Sequence, residues 1–214
     1  MFSILYEDHD LLAVDKPTGI ATIPERRVGR ESLLQNLTEW YSFKIYVVHR
    51  LDKEVSGVIL FAKNPATHRL LNEQFNQRLV KKTYIALVHG LPAGENGEIN
   101  EPIRQCGSGR MAVDRHQGKE CLTAYQIREK YKNHTLLTVY PLTGRRHQIR
   151  VHLYSIGNPI VGDPMYGDKK IQKEFPRLML HACKIEFSTA SGEERQIESP
   201  QPDLFLSVLA LCKR

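Results

Sequence analysis

Apolar residues in this chain arrive in short runs, and the spacing within and between runs sorts them into strands and helices. Ile4-Leu5-Tyr6 and Leu11-Leu12-Ala13-Val14 flank the polar cluster Glu7-Asp8-His9-Asp10, a pattern that predicts a hairpin. Asp15-Lys16-Pro17-Thr18-Gly19 closes the second strand with proline and glycine in tight-turn order, and the role of Lys16 is left open. Leu33, Leu34, Leu37, Trp40 and Tyr41 recur at helical spacing, so residues 32–41 are expected to form an amphipathic helix with Trp40 in its packed face. A second helix is expected over 65–80, with Asn64 as N-cap, Pro65 in the first turn, and Leu71, Phe75 and Leu79 sharing one face.

A strand is expected to start at Lys81-Lys82 and run through Tyr84 to Val88. The glycine- and charge-rich region 90–118, with Arg104, Arg110 and Arg115, predicts loops and short strands. Residues 121–128 and 135–140 alternate as antiparallel strands around the turn 131–134. Ile149, Leu153 and Ile156 then fall at one-turn spacing, with Gly157 placed as a helix C-terminal glycine. That reading puts Arg146 and Arg150 four residues apart on one helical face. A last strand is expected over 177–187.

One stretch does not fit a purely structural reading. Tyr46-Val47-Val48 leads into His49-Arg50-Leu51-Asp52, and after a turn through Ser56-Gly57 the apolar strand Val58 to Ala62 leaves. Asp, Lys, Ser and Gly are ordinary turn residues, but an exposed turn has no use for a leucine between an arginine and an aspartate. In an extended segment Arg50 and Asp52 point to one side while Leu51 anchors the other. A carboxylate and a guanidinium presented together from a rigid strand end suit catalysis or anion binding.

Composition narrows the class without naming it. The 214 residues are 41% hydrophobic and 25% charged, which suits one well-buried domain over 1–214. Net charge is +6 and the pI about 9.1, a modest excess that favours polyanionic partners. Cys106, Cys121, Cys183 and Cys212 form no close pair, which argues against a zinc framework. The amino terminus lacks a signal-peptide pattern and no apolar run is long enough for a membrane span. The expectation is a soluble cytoplasmic protein with reduced thiols.

Taken in order, Lys16-Pro17-Thr18-Gly19, His49-Arg50-Leu51-Asp52, Lys82-Thr83-Tyr84, Thr143-Gly144-Arg145-Arg146-His147-Gln148-Ile149-Arg150-Val151-His152 and Leu178-Met179-Leu180-His181-Ala182 resemble the motif series of the RluA-type pseudouridine synthases. Val55 stands where that family usually has threonine, which removes a hydroxyl beside the motif without touching Asp52. The resemblance implies an α+β fold: a mixed, mainly antiparallel sheet with flanking helices and loops around a central catalytic cleft. It implies isomerisation of uridine in RNA to the C-glycoside, with no cofactor and no metal. Asp52, Tyr84 and Arg150 take the catalytic positions. Arg50, by the same resemblance, fills the stack that a flipped nucleotide leaves, and Lys82, Arg145 and Arg146 bind RNA phosphates. The implied partner is structured ribosomal or transfer RNA, a stem-loop read by a monomer. The opening motif starts at residue 4, so a stand-alone catalytic domain is expected, without the small basic domain that many members carry.

Three other classes fit the residues less well. A zinc hydrolase needs histidines four apart on a helix, whereas His147 and His152 are five apart with no glutamate between. A kinase loop has aspartate directly after arginine, and no glycine-rich loop is present. A non-catalytic RNA binder on the same fold would use the basic residues equally well, but gains nothing from a carboxylate in an anion's path. His49, His147, His152 and His181 are read as structural.

Overall fold

The structure is a computed structural model that describes residues 2–24, 31–107 and 109–213. In chain order the elements are β1 (Ser3–Glu7), β2 (Leu11–Lys16), α1 (Leu33–Tyr41), β3 (Tyr46–Val47), β4 (Ser56–Ala62) and α2 (Pro65–Asn76). Then come β5 (Lys81–His89), β6 (Asn96–Ile99), β7 (Ile103–Cys106), β8 (Arg110–Val113), β9 (Thr123–Lys130) and β10 (His134–Pro141). The chain ends with α3 (Gln148–Ser155), α4 (Lys169–Gln172), β11 (Leu180–Ser188), β12 (Glu194–Glu198) and α5 (Asp203–Cys212). The class is α+β with mainly antiparallel pairing, as the sequence implied. Contacts divide the chain into two compact units, one of residues 1–82 with 182–200, the other of 83–181 with 201–214.

In the first unit β1 and β2 form the expected hairpin, and β2 pairs antiparallel with β4, Leu12 opposite Phe61 and Val14 opposite Ile59. Every residue of β4 is buried, and so are Leu11 to Val14. These strands therefore read as continuous apolar runs rather than alternations, the pattern of strands covered on both faces. Gly57 has a left-handed φ of +119°, and a Cβ there would overlap the backbone carbonyl of Ala182, so only glycine fits this close approach. Ser32 opens α1 with a reciprocal capping box, its hydroxyl accepting from the Gln35 amide while the Gln35 side chain accepts from the Ser32 amide. The Asn64 side chain caps α2 by accepting from the Thr67 amide at 2.9 Å.

Two expectations about these helices fail. Trp40 is 73% exposed, because α1 ends one residue later at Tyr41, with Ser42 as a left-handed C-cap, and only Leu33 and Leu37 reach the core. Its ring meets Phe2 edge-on instead. α2 stops at Asn76 rather than running to residue 80: Arg78 adopts φ +61°, which turns the chain out of the helix and leaves Leu79 exposed.

In the second unit β10 lies between β5 and β9, antiparallel to both, and β9 pairs onward with β6. β7 and β8 form a separate two-stranded hairpin, so region 90–118 holds the short strands expected of it. Ile103 and Met111 of that hairpin join Cys121, Val151 and Tyr166 in one buried cluster. All four cysteines are free thiols.

Candidate active site

Asp52 sits in a turn whose main chain is held from several directions by the first unit. Arg50 is exposed, Leu51 only 6% exposed, and Asp52 half-buried, so the alternation read from the sequence survives although the segment is irregular rather than strand. The Thr22 hydroxyl donates to the Leu51 carbonyl at 2.9 Å and accepts from the Leu51 amide at 3.2 Å. Thr18 Oγ1 donates to the Glu54 carbonyl, the Gly19 amide to the Lys53 carbonyl, and the Val55 amide to the Asp52 carbonyl.

The role of Lys16 now becomes clear. Its side chain is fully buried, and Nζ donates to the carbonyls of Pro17, Ile20 and Lys53 at 3.0, 2.8 and 3.2 Å. An ammonium has three protons, and a buried charge is tolerated when they are answered by oxygens. Lys16 thus joins the Pro17–Ile20 loop to the turn that carries Asp52. The first motif is therefore a clamp for the second.

His49 and Lys82 lie in the same unit. The His49 ring stacks on Phe75 with centroids 4.8 Å apart, and its Nε2 accepts from the Leu60 amide at 3.0 Å. Burial, with a further push from the Lys82 charge, lowers His49 to about 3, so the ring is neutral and structural. Burial also lowers Lys82 to about 8 from an ordinary value of 10.5. Val55 is 3% exposed, so the position that departs from the family pattern is a core contact.

In the second unit Arg150 is 1% exposed on α3. Its Nε and Nη2 donate to Asp163 Oδ2 and Oδ1, each at 2.8 Å, a bidentate pair. The guanidinium also lies 5.3 Å from the Tyr166 ring centre. Arg146 and Arg150 do not share a helical face as the spacing suggested. His147 takes a left-handed φ of 54° at the N-cap, so Arg145 and Arg146 belong to the preceding turn, both exposed. Gln148 shapes that turn: its Oε1 accepts from the Arg145 amide and the Thr143 hydroxyl, while its Nε2 donates to the Leu122 carbonyl and to Thr123 Oγ1. Ile149 and Leu153 are buried as the pattern requires, but Ile156 is 39% exposed at the C-cap, ahead of Gly157 at φ +82°.

Tyr84 is half-buried on β5, opposite Val139 of β10. His147 Nδ1 lies 3.0 Å from the Tyr166 hydroxyl, His152 contacts Thr123 and the Glu101 carbonyl, and His181 is fully buried near Phe205. Among the described residues no group of three or more His, Cys, Asp or Glu side chains is placed to hold a metal ion, and no helix is long and apolar enough to cross a membrane.

The structure thus places Arg50 and Asp52 in one turn, Lys82 beside His49, and Arg145 with Arg146 in the turn before the helix that carries Arg150. Sequence reasoning missed Thr22, Gln148, Asp163 and Tyr166. Gly162-Asp163-Pro164 after an apolar pair carries only the signal of a turn, and nothing in it says that the carboxylate points inward.

Comparison with known proteins finds consistent relatives. The family model described as RNA pseudouridylate synthase matches residues 10–155. An uncharacterized RNA pseudouridine synthase of Zymomonas mobilis is 37% identical over 210 residues, 94% of each chain. The dual-specificity RNA pseudouridine synthase RluA of Vibrio cholerae is 38% identical over 187 residues, 86% of this chain and 76% of that one. A ribosomal large subunit pseudouridine synthase C of Buchnera aphidicola is 38% identical over 96% of this chain and 69% of its own. Among solved structures, human RNA pseudouridylate synthase domain containing 1 superposes with a TM-score of 0.82 at 29% identity, over 99% of this chain and 87% of that one.

Proposed function

The chain belongs to the RNA pseudouridylate synthases of the RluA type, isomerases that convert uridine in RNA to pseudouridine, and from that premise we propose that Asp52 is the carboxylate that acts on the flipped nucleoside. The reaction breaks the C1′–N1 bond, turns the uracil, and joins C5 to C1′. An ionised carboxylate near sugar and base serves it by attack at C1′, by addition to the ring, or by taking a sugar proton. The observation that carries this assignment is the clamp of Lys16, Thr18 and Thr22, which fixes the turn while Asp52 keeps a half-exposed side chain. A preorganised carboxylate needs no rearrangement when the nucleoside arrives.

The remaining roles follow from side-chain chemistry. Arg150 supplies the positive charge that keeps a carboxylate ionised where water is excluded. Tyr84 covers the uracil and takes the proton released from C5. Arg50, exposed and planar, fills the vacated stack. Lys82, Arg145 and Arg146 hold phosphates, which positions RNA without reading its sequence.

One relative's name specifies the ribosomal large subunit and another's dual specificity; for this chain we propose a stem-loop of ribosomal or transfer RNA as substrate. We further assign the protein to the cytoplasm, as a monomer without metal, with 1–214 acting as one catalytic domain. The test is release of tritium from RNA labelled at uracil C5. Release from bacterial ribosomal or transfer RNA is expected, and none from any of them would leave a binding protein on the same fold.

A further inference from the structure

Arg150 is held far more firmly than stability alone asks. Asp163, 1% exposed, accepts both of its guanidinium bonds, and the Asp163 side chain is itself fixed by the amides of Met165 and Tyr166 at 2.9 and 3.2 Å. The turn that carries it is locked in its own right. Gln172, 4% exposed, accepts from the amides of Gly162 and Asp163 and donates to the carbonyls of Ile160 and Tyr166. Gly162 holds φ +72°, and a Cβ there would overlap the Arg177 carbonyl. Beneath the guanidinium, the Tyr166 hydroxyl accepts from the Met111 amide of β8 at 3.0 Å and meets His147 Nδ1 at 3.0 Å.

A buried ion pair is a poor way to gain stability, because desolvating both charges offsets most of their attraction, and an apolar pair of similar volume often does as well. What a bidentate pair on a doubly locked turn supplies is direction. Arginine has a long flexible stem, and fixing two of its nitrogens leaves the guanidinium plane one orientation. We propose that Asp163 is a positioning residue: its carboxylate, set by the Gln172-locked turn, orients the Arg150 guanidinium for the reaction, with Tyr166 of the same turn supporting that plane and tying it to the β7–β8 hairpin. The inference rests on the reading that Arg150 serves the reaction.

A double-mutant cycle with tritium release as readout separates the two. Arg150→Gln, Asp163→Asn and the double variant are compared for kcat and for KM toward the RNA, with thermal melting to confirm folding. If Asp163 acts through Arg150, each single change lowers kcat by about 100-fold, KM moves by less than about threefold, and the double variant is no slower than Arg150→Gln alone. Losses that multiply in the double variant, or a folded Asp163→Asn enzyme with wild-type kcat beside a slowed Arg150→Gln, would overturn the positioning role and leave the role of Arg150 intact. Wild-type kcat in Arg150→Gln would overturn both. Asp163→Glu keeps the charge, moves it by one methylene and is read in the same cycle if the asparagine variant does not fold. If neither folds, Asp163 is structural and the proposal fails.

Discussion

The two units hold their charged groups by opposite means. In the first, Asp52 is placed through its main chain: Lys16, Thr18 and Thr22 reach backbone atoms of residues 51, 53 and 54. In the second, Arg150 is placed at the far end of its side chain, where Asp163 grips the guanidinium. Side-chain length explains the difference. Aspartate has two rotatable bonds, so fixing its backbone nearly fixes its carboxylate. Arginine carries up to about 2 kcal/mol of rotamer entropy and has to be caught at the head. A short acid needs a rigid turn, and a long base needs a partner.

This contrast breaks most visibly at Lys16. Lys16→Met keeps the stem but takes the ammonium away from the Pro17 and Ile20 carbonyls and leaves the Lys53 carbonyl only the Gly19 amide, and it is expected to cost about 2–5 kcal/mol, at about 1–3 kcal/mol for each acceptor that loses its donor. Urea unfolding measures it, and the Asp52 turn should lose activity even where the variant remains folded. An unchanged urea midpoint would mean that the turn is held by something else. Thr22→Val is the milder lesion. It removes both bonds to Leu51 at nearly constant volume, for an expected loss of about 1–3 kcal/mol in the same measurement.

The smallest effect concerns Lys82. Its ammonium loses charge as pH rises through about 8, so RNA affinity should fall by about fivefold between pH 7 and 9, the scale of one charge-assisted contact. Lys82→Arg should abolish that pH dependence in a filter-binding titration. Stability moves the other way. The folded chain releases this proton near 8 while the unfolded chain keeps it toward 10.5, so unfolding becomes harder as pH climbs through that window.

How much of this was legible in the sequence follows from the range over which each signal acts. The β1–β2 hairpin, the cap at Asn64, and the alternation around Leu51 depend on neighbours within a few positions, and each is found where the pattern puts it. Trp40 misled because periodicity assigns a face but not how far a core extends along it. The pairing of Arg146 with Arg150 misled because a left-handed residue without glycine, His147, leaves no mark in the sequence. The bonds of Lys16 and Asp163 were out of reach for another reason: the Lys53 carbonyl lies 37 residues from Lys16, and Asp163 lies 13 from Arg150. Nothing in composition or spacing reports a contact over such separations.

Asp52→Asn, assayed beside the wild type for tritium release and for RNA binding, tests the central claim most directly. Turnover should fall by at least about 1,000-fold while RNA is bound as well as before or more tightly, since a carboxylate facing phosphates has been neutralised. A variant that turns over at the wild-type rate would contradict the assignment of Asp52.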